Sequence, residues 1–529
     1  MALAKSLAVS LLGLSATQIE VEADISSQLP NFILVGLPDA SLSEATARVR
    51  AAVTNSGLSW PARRITVNLS PASVPKQGSA FDLAIAMAVL AASQTGEGSE
   101  RVAASVAKTF HIGELTLDGS VRAVPGVLPM VRAARDLGAA FVMVPRDSLA
   151  EATLIEGVEV FGVSSLGQAL AWHSGSLDSE PREDLDGKKS EGVSLQEMNN
   201  LDIADVRGQD FAVNALMVAA AGGHHMLMVG SPGAGKTMLA ERLPTLLPDL
   251  SIEAALESAA VASIVGRSVF GREGGGLDLR PKFEAPHHSS SMSAIVGGGL
   301  KTPRPGAISL SHNGVLFLDE APEFQTPVLD ALRQPLESGE IRLHRSAGTA
   351  VFPARCQLVM AANPCPCGKA FLLTGCQCSA TARARYSQKL SGPLLDRIDI
   401  RIVIQPVSAL KMRFIEESTD FSAMTSAQAR SRVERAQEAA RNRLLSTSWQ
   451  TNSQVSANYL RGALKLPAQV TSVVDKALNR GRVSMRGYDR CLRLAWTIAD
   501  LAGHTSPTVD DVSMALALRG EDSPLGSAA

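Results

Sequence analysis

Six cysteines in 529 residues are too few for a disulfide framework in so long a chain. Four of them crowd between Cys365 and Cys378, which reads as metal or local thiol chemistry in a reducing compartment. No run reaches the roughly 18 apolar residues of a membrane-spanning helix. No charge of one sign dominates: the formal net charge is −2, so any surface for a polyanion must be local. No internal repeat is visible. What is present is an ordinary globular composition, 45% hydrophobic and 19% charged, with length for about three or four domains.

The opening MALAKSLAVSLLGLSA carries one lysine and then apolar residues, as a signal peptide does. Ser6, Ser10 and Gly13 interrupt it, and it runs into the strand-like TQIEVEADIS, which disfavours a leader. Beyond it, strand-like runs (FILVG, RITVNLS, AFVMVP, VEVFGV) alternate with helical stretches, predicting a front α/β or α+β domain over 1–173. The polar, charged SGSLDSEPREDLDGKKSE opens a predicted linker over 174–200. A second α/β unit over 201–408 has strands that are apolar throughout, HMLMVG, GVLFLDE and CQLVMAAN, as in a parallel sheet covered on both faces. The segment 409–520 reads as helical, with Val433, Ala436, Ala440 and Leu444 on one stripe. In the last helix Thr508 or Asp510 is the candidate cap and Gly520 the stop, followed by a tail over 521–529. The fold class is therefore α/β multidomain, with a helical C-terminal domain.

The stretch Gly230-Ser231-Pro232-Gly233-Ala234-Gly235-Lys236-Thr237 fits G-x-x-x-x-G-K-[ST] between a strand and a helix. Its glycines let backbone N–H groups turn inward around phosphates, Lys236 reaches the β/γ oxygens and Thr237 ligates Mg²⁺. Such a loop would be idle outside the cell, which points to the cytoplasm. Downstream, GVLFLDE ends in Asp319, suited to hold Mg²⁺, and Glu320, suited to orient an attacking water. A third strand ends at Asn363, where a polar side chain can position the same water; Asn before Pro is otherwise a common turn. Arg397 and Arg486 are candidates to stabilise charge on a transferring phosphoryl group.

From about Leu201 to Arg519 the chain resembles the AAA+ ATPases of magnesium-chelatase type. The residues that carry this are DVRGQDFAVNALMVAAAGGHHMLMVGSPGAGKT, APHHSS with its following PRPGAISLSHNGVLFLDEAPEF, AANPCPCG and SGPLLDRIDI. The resemblance implies ATP and Mg²⁺ as cofactors and a homo-oligomeric ring, usually a hexamer. It also implies Asn363 as sensor 1, Arg397 as an arginine finger aimed at a neighbour's ATP, and Arg486 as sensor 2 on the ATP-binding side. HIGELTLDGSVRAVPG and VNLSPASVPKQGSAFDLAIAMAVLAAS resemble the proteolytic fold of Lon proteases. In gap-free register the Lon serine falls on Ala80, beside Ser79, and the Lon lysine on Met130. Without a dyad the serine cannot be activated, so this front domain is expected to be catalytically inactive. A Lon-like domain ahead of a chelatase-type module is the arrangement of the ComM/YifB family. That resemblance implies a DNA-dependent ATPase driving branch migration when transforming DNA is integrated. A chelatase motor subunit and a protein-remodelling ATPase are the alternatives.

Between Glu320 and Asn363 lies a predicted hairpin carrying Arg342, His344, Arg345 and Arg355, with no acid after Glu340. It reads as a finger for the phosphates of single-stranded or branched DNA; a basic hairpin that keeps a sheet edge soluble is the plainer reading. The glycine- and serine-rich EAPHHSSSMSAIVGGGLKTPRPGAIS is expected to be a mobile loop, with His287 and His288 in hydrogen bonds or substrate contact rather than on a metal. Cys365, Cys367, Cys376 and Cys378 form a Cys-x-Cys…Cys-x-Cys set, which reads either as a structural Zn²⁺ site or as free thiols. Cys356 and Cys491 sit in apolar surroundings and are expected in the core.

Overall fold

The computed structural model describes residues 2–36, 44–74, 76, 78–176, 201–271, 276–299, 302–345, 348–369, 375–408 and 423–520. Most of the predicted linker, the start of the predicted helical domain and the tail lie outside these residues. No helix among the described residues is long and apolar enough to cross a membrane.

The front of the chain is a seven-stranded mixed sheet in the order 31–35, 64–70, 15–26, 2–12, 109–111, 141–145, 159–163. The opening stretch that looked leader-like is an inner strand, Ala2–Leu12, paired antiparallel with Ser15–Ser26. The longer strand shows why: Ile19, Val21, Ala23 and Ile25 alternate into the core, the period of a sheet with one strongly buried face. Helix Asp82–Ser93 is apolar nearly all round and buried throughout its first eleven residues, so it forms the centre of this core. Ala80 and Met130, the positions of the missing dyad, pack into one apolar cluster. The neighbouring Ser79 hydroxyl donates to the Glu114 carboxylate.

The second sheet has five parallel strands in the order 283–284, 315–318, 357–362, 226–230, 400–404. Its three inner strands bury both faces, as the continuous apolar runs predicted. Met226 and Met228 face one core, shared with helices Ser426–Leu444, Met485–Ala502 and Val509–Arg519. Leu227 and Val229 face another, shared with the basic hairpin's Ile341, Leu343, Ala350 and Phe352. The stripe Val433, Ala436, Ala440 and Leu444 is buried. Thr508 caps the last helix, reciprocally with Asp511, and Gly520 at φ 57° ends it.

The front region and the second α/β region are in direct contact, through a pair of helices and through the basic hairpin. Helix Val127–Asp136 packs on helix Ile252–Ile264 through Val127, Leu128, Val131, Ala259 and Ala260. The turn of the front hairpin meets the second strand of the basic hairpin: Gly13 forms a bridge with Val351, and the Leu14 amide donates to the Val351 carbonyl at 3.4 Å. A Cβ at Gly13 would lie 2.8 Å from that carbonyl oxygen, so the approach requires glycine there.

Candidate nucleotide site

Strand Met226–Gly230 leads into the glycine loop and helix Lys236–Leu246 begins at its end. Gly233 and Gly235 take φ 77° and 88°, which only glycine adopts freely. Lys236 Nζ donates to the carbonyls of Gly230 at 2.8 Å and Ser231 at 3.0 Å, and to Asn363 Oδ1 at 3.1 Å. Burial pushes the lysine's pKa down, while Asp319 and Glu320 pull it up. Thr237 Oγ1 donates to Asp319 Oδ2 at 2.7 Å. Glu320 follows at φ 49°, a left-handed backbone costly for a glutamate, with its amide bonded to Asp319 Oδ1 at 2.8 Å. The strand ends thus bring Lys236, Thr237, Asp319, Glu320 and Asn363 to one rim of the sheet.

These residues fit a magnesium–nucleotide pair. Ser231 Oγ is buried in the loop without a hydrogen-bond partner. The hydroxyl of Thr237 and the carboxylate of Asp319 already face each other, as two groups sharing one hard cation would. His288 adds a contact that sequence reasoning left open: its Nδ1 lies 3.5 Å from Glu320 Oε2. Its segment is not a featureless loop. It holds helix Met292–Ile295, a two-stranded ribbon of Gly297–Gly298 with Arg304–Pro305, and helix Ala307–Leu310.

The two arginines lie elsewhere. Arg397 precedes strand Ile400–Ile404, whose first residue is level with Met226 and whose last is level with Gly230. The parallel register puts Arg397 at the opposite rim from the glycine loop, more than about 13 Å away at the ~3.3 Å rise per residue of a parallel strand. Its guanidinium donates to the Pro393 carbonyl at 2.6 Å and to the Glu337 carboxylate. Arg486 was expected with the ATP-binding side. Instead its guanidinium sits 3.6 Å from the carboxylate of Asp396, the residue before Arg397, and is largely exposed. The helix that carries Arg486 is capped at Ser484 and packs over this rim, which the local sequence could not reveal.

That rim is held by a buried polar cluster. Asp399 accepts from Arg490, and His224 Nδ1 lies 2.9 Å from it. Arg490 also donates to the carbonyl of Arg397 at 3.1 Å, and His224 Nε2 lies 2.8 Å from Thr497 Oγ1. Burial pushes the Asp399 carboxyl up, but Arg490 and His224 outweigh it and hold it well below the usual carboxylate range.

Three family descriptions cover successive parts of the chain: subunit ChlI of Mg-chelatase over residues 21–148, magnesium chelatase subunit ChlI over 202–412, and its C-terminal part over 423–519. The chain is 48% identical over 520 residues to an uncharacterized protein of Mycobacterium tuberculosis, covering 98% of this chain and 99% of that one. It is 40% identical over 495 residues to competence protein ComM of Haemophilus influenzae, covering 93% and 92%. The chain belongs to the ComM/YifB family of magnesium chelatase-like AAA+ proteins. Within this ComM/YifB chain the front region is 39% identical over 77 residues to archaeal Lon protease of Archaeoglobus fulgidus, 15% of this chain and 12% of that one.

The basic hairpin forms as Glu340–Arg345 with Gly348–Pro353, in register His344 to Thr349. Arg342 and His344 are exposed while Ile341 and Leu343 point into the core, the alternation of a strand with one wet face. Arg342 is paired with Glu340 at 2.6 Å, and Arg345 Nε donates to the Gly299 carbonyl at 3.0 Å, tying the hairpin to the glycine-rich ribbon. Arg355 is not part of this finger. It follows both strands, packs against Gly339, and lines a cleft of about 620 Å³ towards the front domain with Leu14, Arg132, Glu257 and His312. Cys491 is a core residue, while Cys356 packs half-buried against the second core, where desolvation of its sulfur pushes the thiol up to about 12. The four clustered cysteines do converge: their sulfur atoms all lie within 4.8 Å of one another.

Proposed function

We propose that this ComM/YifB chain is an ATP-hydrolysing ring motor of the cytoplasm that moves along single-stranded or branched DNA. The observation that carries the ATPase half is the separation of two half-sites. Lys236, Thr237, Asp319, Glu320 and Asn363 gather at one rim of the parallel sheet, and Arg397 with Arg486 at the other. A complete site then needs two chains, the glycine loop of one against the arginine rim of the next. Repeating that head-to-tail contact closes a ring, which we take to be a homohexamer.

In this reading Lys236 and the loop amides bind the β/γ-phosphates, Thr237 and Asp319 hold Mg²⁺, and the bound ion neutralises charge on the phosphates. Glu320 and Asn363 orient the attacking water, Glu320 as the base that receives its proton. Arg397 and Arg486 of the neighbouring chain supply positive charge to the transferring phosphoryl group. The Zn²⁺ that we assign to the cysteine cluster is structural.

The DNA half rests on the exposed Arg342 and His344 of the hairpin and on the likeness to a competence protein across nearly the whole chain. The finger binds phosphate by charge and reads no base, and the outcome is branch migration when transforming DNA recombines. The front domain has no serine–lysine dyad at the Lon positions and serves assembly or binding rather than proteolysis. The deciding experiment is the ATPase rate with single-stranded DNA, a porphyrin or an unfolded protein added. DNA stimulation that fades steeply with salt is expected. Stimulation by porphyrin alone would favour a chelatase motor, the reading to which the family descriptions lend weight.

A further inference from the structure

The best-formed cluster outside the nucleotide pocket is the set of four cysteines just beyond Asn363. Cys365 Sγ lies 3.3 Å from Cys367 Sγ and 3.5 Å from Cys376 Sγ, and Cys367 Sγ lies 3.5 Å from Cys376 Sγ. Cys378 completes a group whose sulfurs span no more than 4.8 Å. A zinc ion with Zn–S bonds of about 2.3 Å holds its four sulfurs about 3.8 Å apart along the edges of a tetrahedron. The spacing already present is close to that figure. Disulfides do not explain it, because bonded sulfurs sit about 2.05 Å apart and Cys365 approaches two partners, at 3.3 and 3.5 Å. A polynuclear iron–sulfur cluster does not explain it either, since the cysteines would be divided among two or more irons and sulfurs on different irons would stand farther apart.

The same loop touches the phosphate-binding loop at two points. Gly368, at φ +70°, leans on Pro232: a Cβ there would fall 2.5 Å from Pro232 Cδ and 2.7 Å from Cγ. Two residues before the first cysteine, Asn363 accepts from Lys236 Nζ at 3.1 Å. Whatever fixes the cysteines therefore fixes the side of the pocket on which Asn363 and Pro232 stand.

We propose that Cys365, Cys367, Cys376 and Cys378 bind one zinc ion in a closed tetrathiolate site, and that this ion braces the phosphate-binding loop through Gly368 and Asn363. The bracing role rests on the ATPase reading; the metal site does not. Binding replaces each thiol proton with a zinc–sulfur bond and releases the protons to solvent. With all four positions taken by sulfur the ion has no open face, so it is structural and performs no chemistry on ATP.

Metal analysis of the purified full-length protein should give one zinc per chain. Cobalt substituted for zinc should show the intense sulfur-to-cobalt charge-transfer bands of a tetrahedral thiolate site. The Cys376→Ser, Cys378→Ser double variant should lose both. Zinc removal by chelator should weaken binding of a fluorescent ATP analogue by about tenfold, in the range seen when groups that support a bound ligand are lost, and added zinc should restore it. Gly368→Ala should keep its zinc and still lose nucleotide affinity, because the added methyl pushes on Pro232. Substoichiometric zinc after reconstitution, with no cobalt–thiolate bands, would overturn the site. Full zinc occupancy with nucleotide affinity unmoved by zinc removal or by Gly368→Ala would overturn the brace. A zinc-loaded protein that binds no nucleotide would count against the ATPase reading and leave the metal site standing.

Discussion

Arg490 donates a hydrogen bond to the main-chain carbonyl of Arg397 and, with the same nitrogen, to the carboxylate of Asp399. A residue of the C-terminal helices thereby sets the backbone from which the candidate finger projects. Arg490→Met should slow ATP turnover by roughly 10- to 100-fold, the cost of misplacing a group by about 1 Å. The ATP KM should move little, since the glycine loop is at the other rim. Steady-state kcat and KM, with a thermal melt as the folding control, check this; a change confined to KM would sink it.

The two-rim arrangement predicts complementation. Arg397→Ala alone should lose about 10³-fold in turnover, the usual scale for an arginine finger, and Lys236→Ala should be inactive. Mixed in equal amounts, the two should regain measurable activity, because some interfaces then join an intact glycine loop to an intact Arg397. If no mixture recovers activity, Arg397 is not supplied by a neighbour.

On the hairpin, Arg342→Ala with Arg345→Ala should abolish stimulation by DNA. It should also lower the slope of log affinity against log salt by about 1.4 to 1.8, at ~0.7–0.9 per phosphate contact. Arg355→Ala should leave that slope where it was, because Arg355 lies in the cleft at the hairpin's base. Fluorescence titrations of labelled oligonucleotide at several salt concentrations distinguish the two.

A buried chain of Ser6, His111, His173 and Ser105, joined at 2.8–2.9 Å, predicts acid sensitivity of the front domain. Burial pushes His173 down to about 4 and His111 well below its ordinary value. Above the ordinary pKa of about 6.5 neither state binds a proton and the pair contributes no pH dependence. Below it the unfolded chain gains protons that the folded one refuses, so stability falls as pH drops from about 6.5 towards 4. Trp172 packs edge-on against His173 at 4.7 Å. Denaturation followed by its fluorescence, in a variant with tryptophan only at that position, should shift to lower denaturant at pH 5 than at pH 7.

The nucleotide rim was legible because its signals are local. Phosphate size fixes the spacing of Gly230 to Thr237, and Asp319 and Asn363 stand where apolar strands stop. The arginine rim was not. Arg486 meets Asp396 across ninety residues of chain, and His224 meets Asp399 across 175, with no periodicity to announce either. Ala2–Leu12 shares its apolar composition with a leader, but Ser6 and Ser10 and the strand-like run after it disfavour that reading, and the segment is an inner strand. Arg355 was grouped with the hairpin because sequence distance stands in poorly for place once a strand has ended. His288 meeting Glu320 had no signal beyond its polarity.

The bridge between Gly13 and Val351 has a mechanical consequence. The hairpin's second strand is clipped to the tip of a ribbon that runs through the middle of the front sheet. In the proposed motor, a stroke of the hairpin would carry the viscous drag of that whole sheet, and a molecule seated on the sheet's outer surface would act as a governor on the stroke.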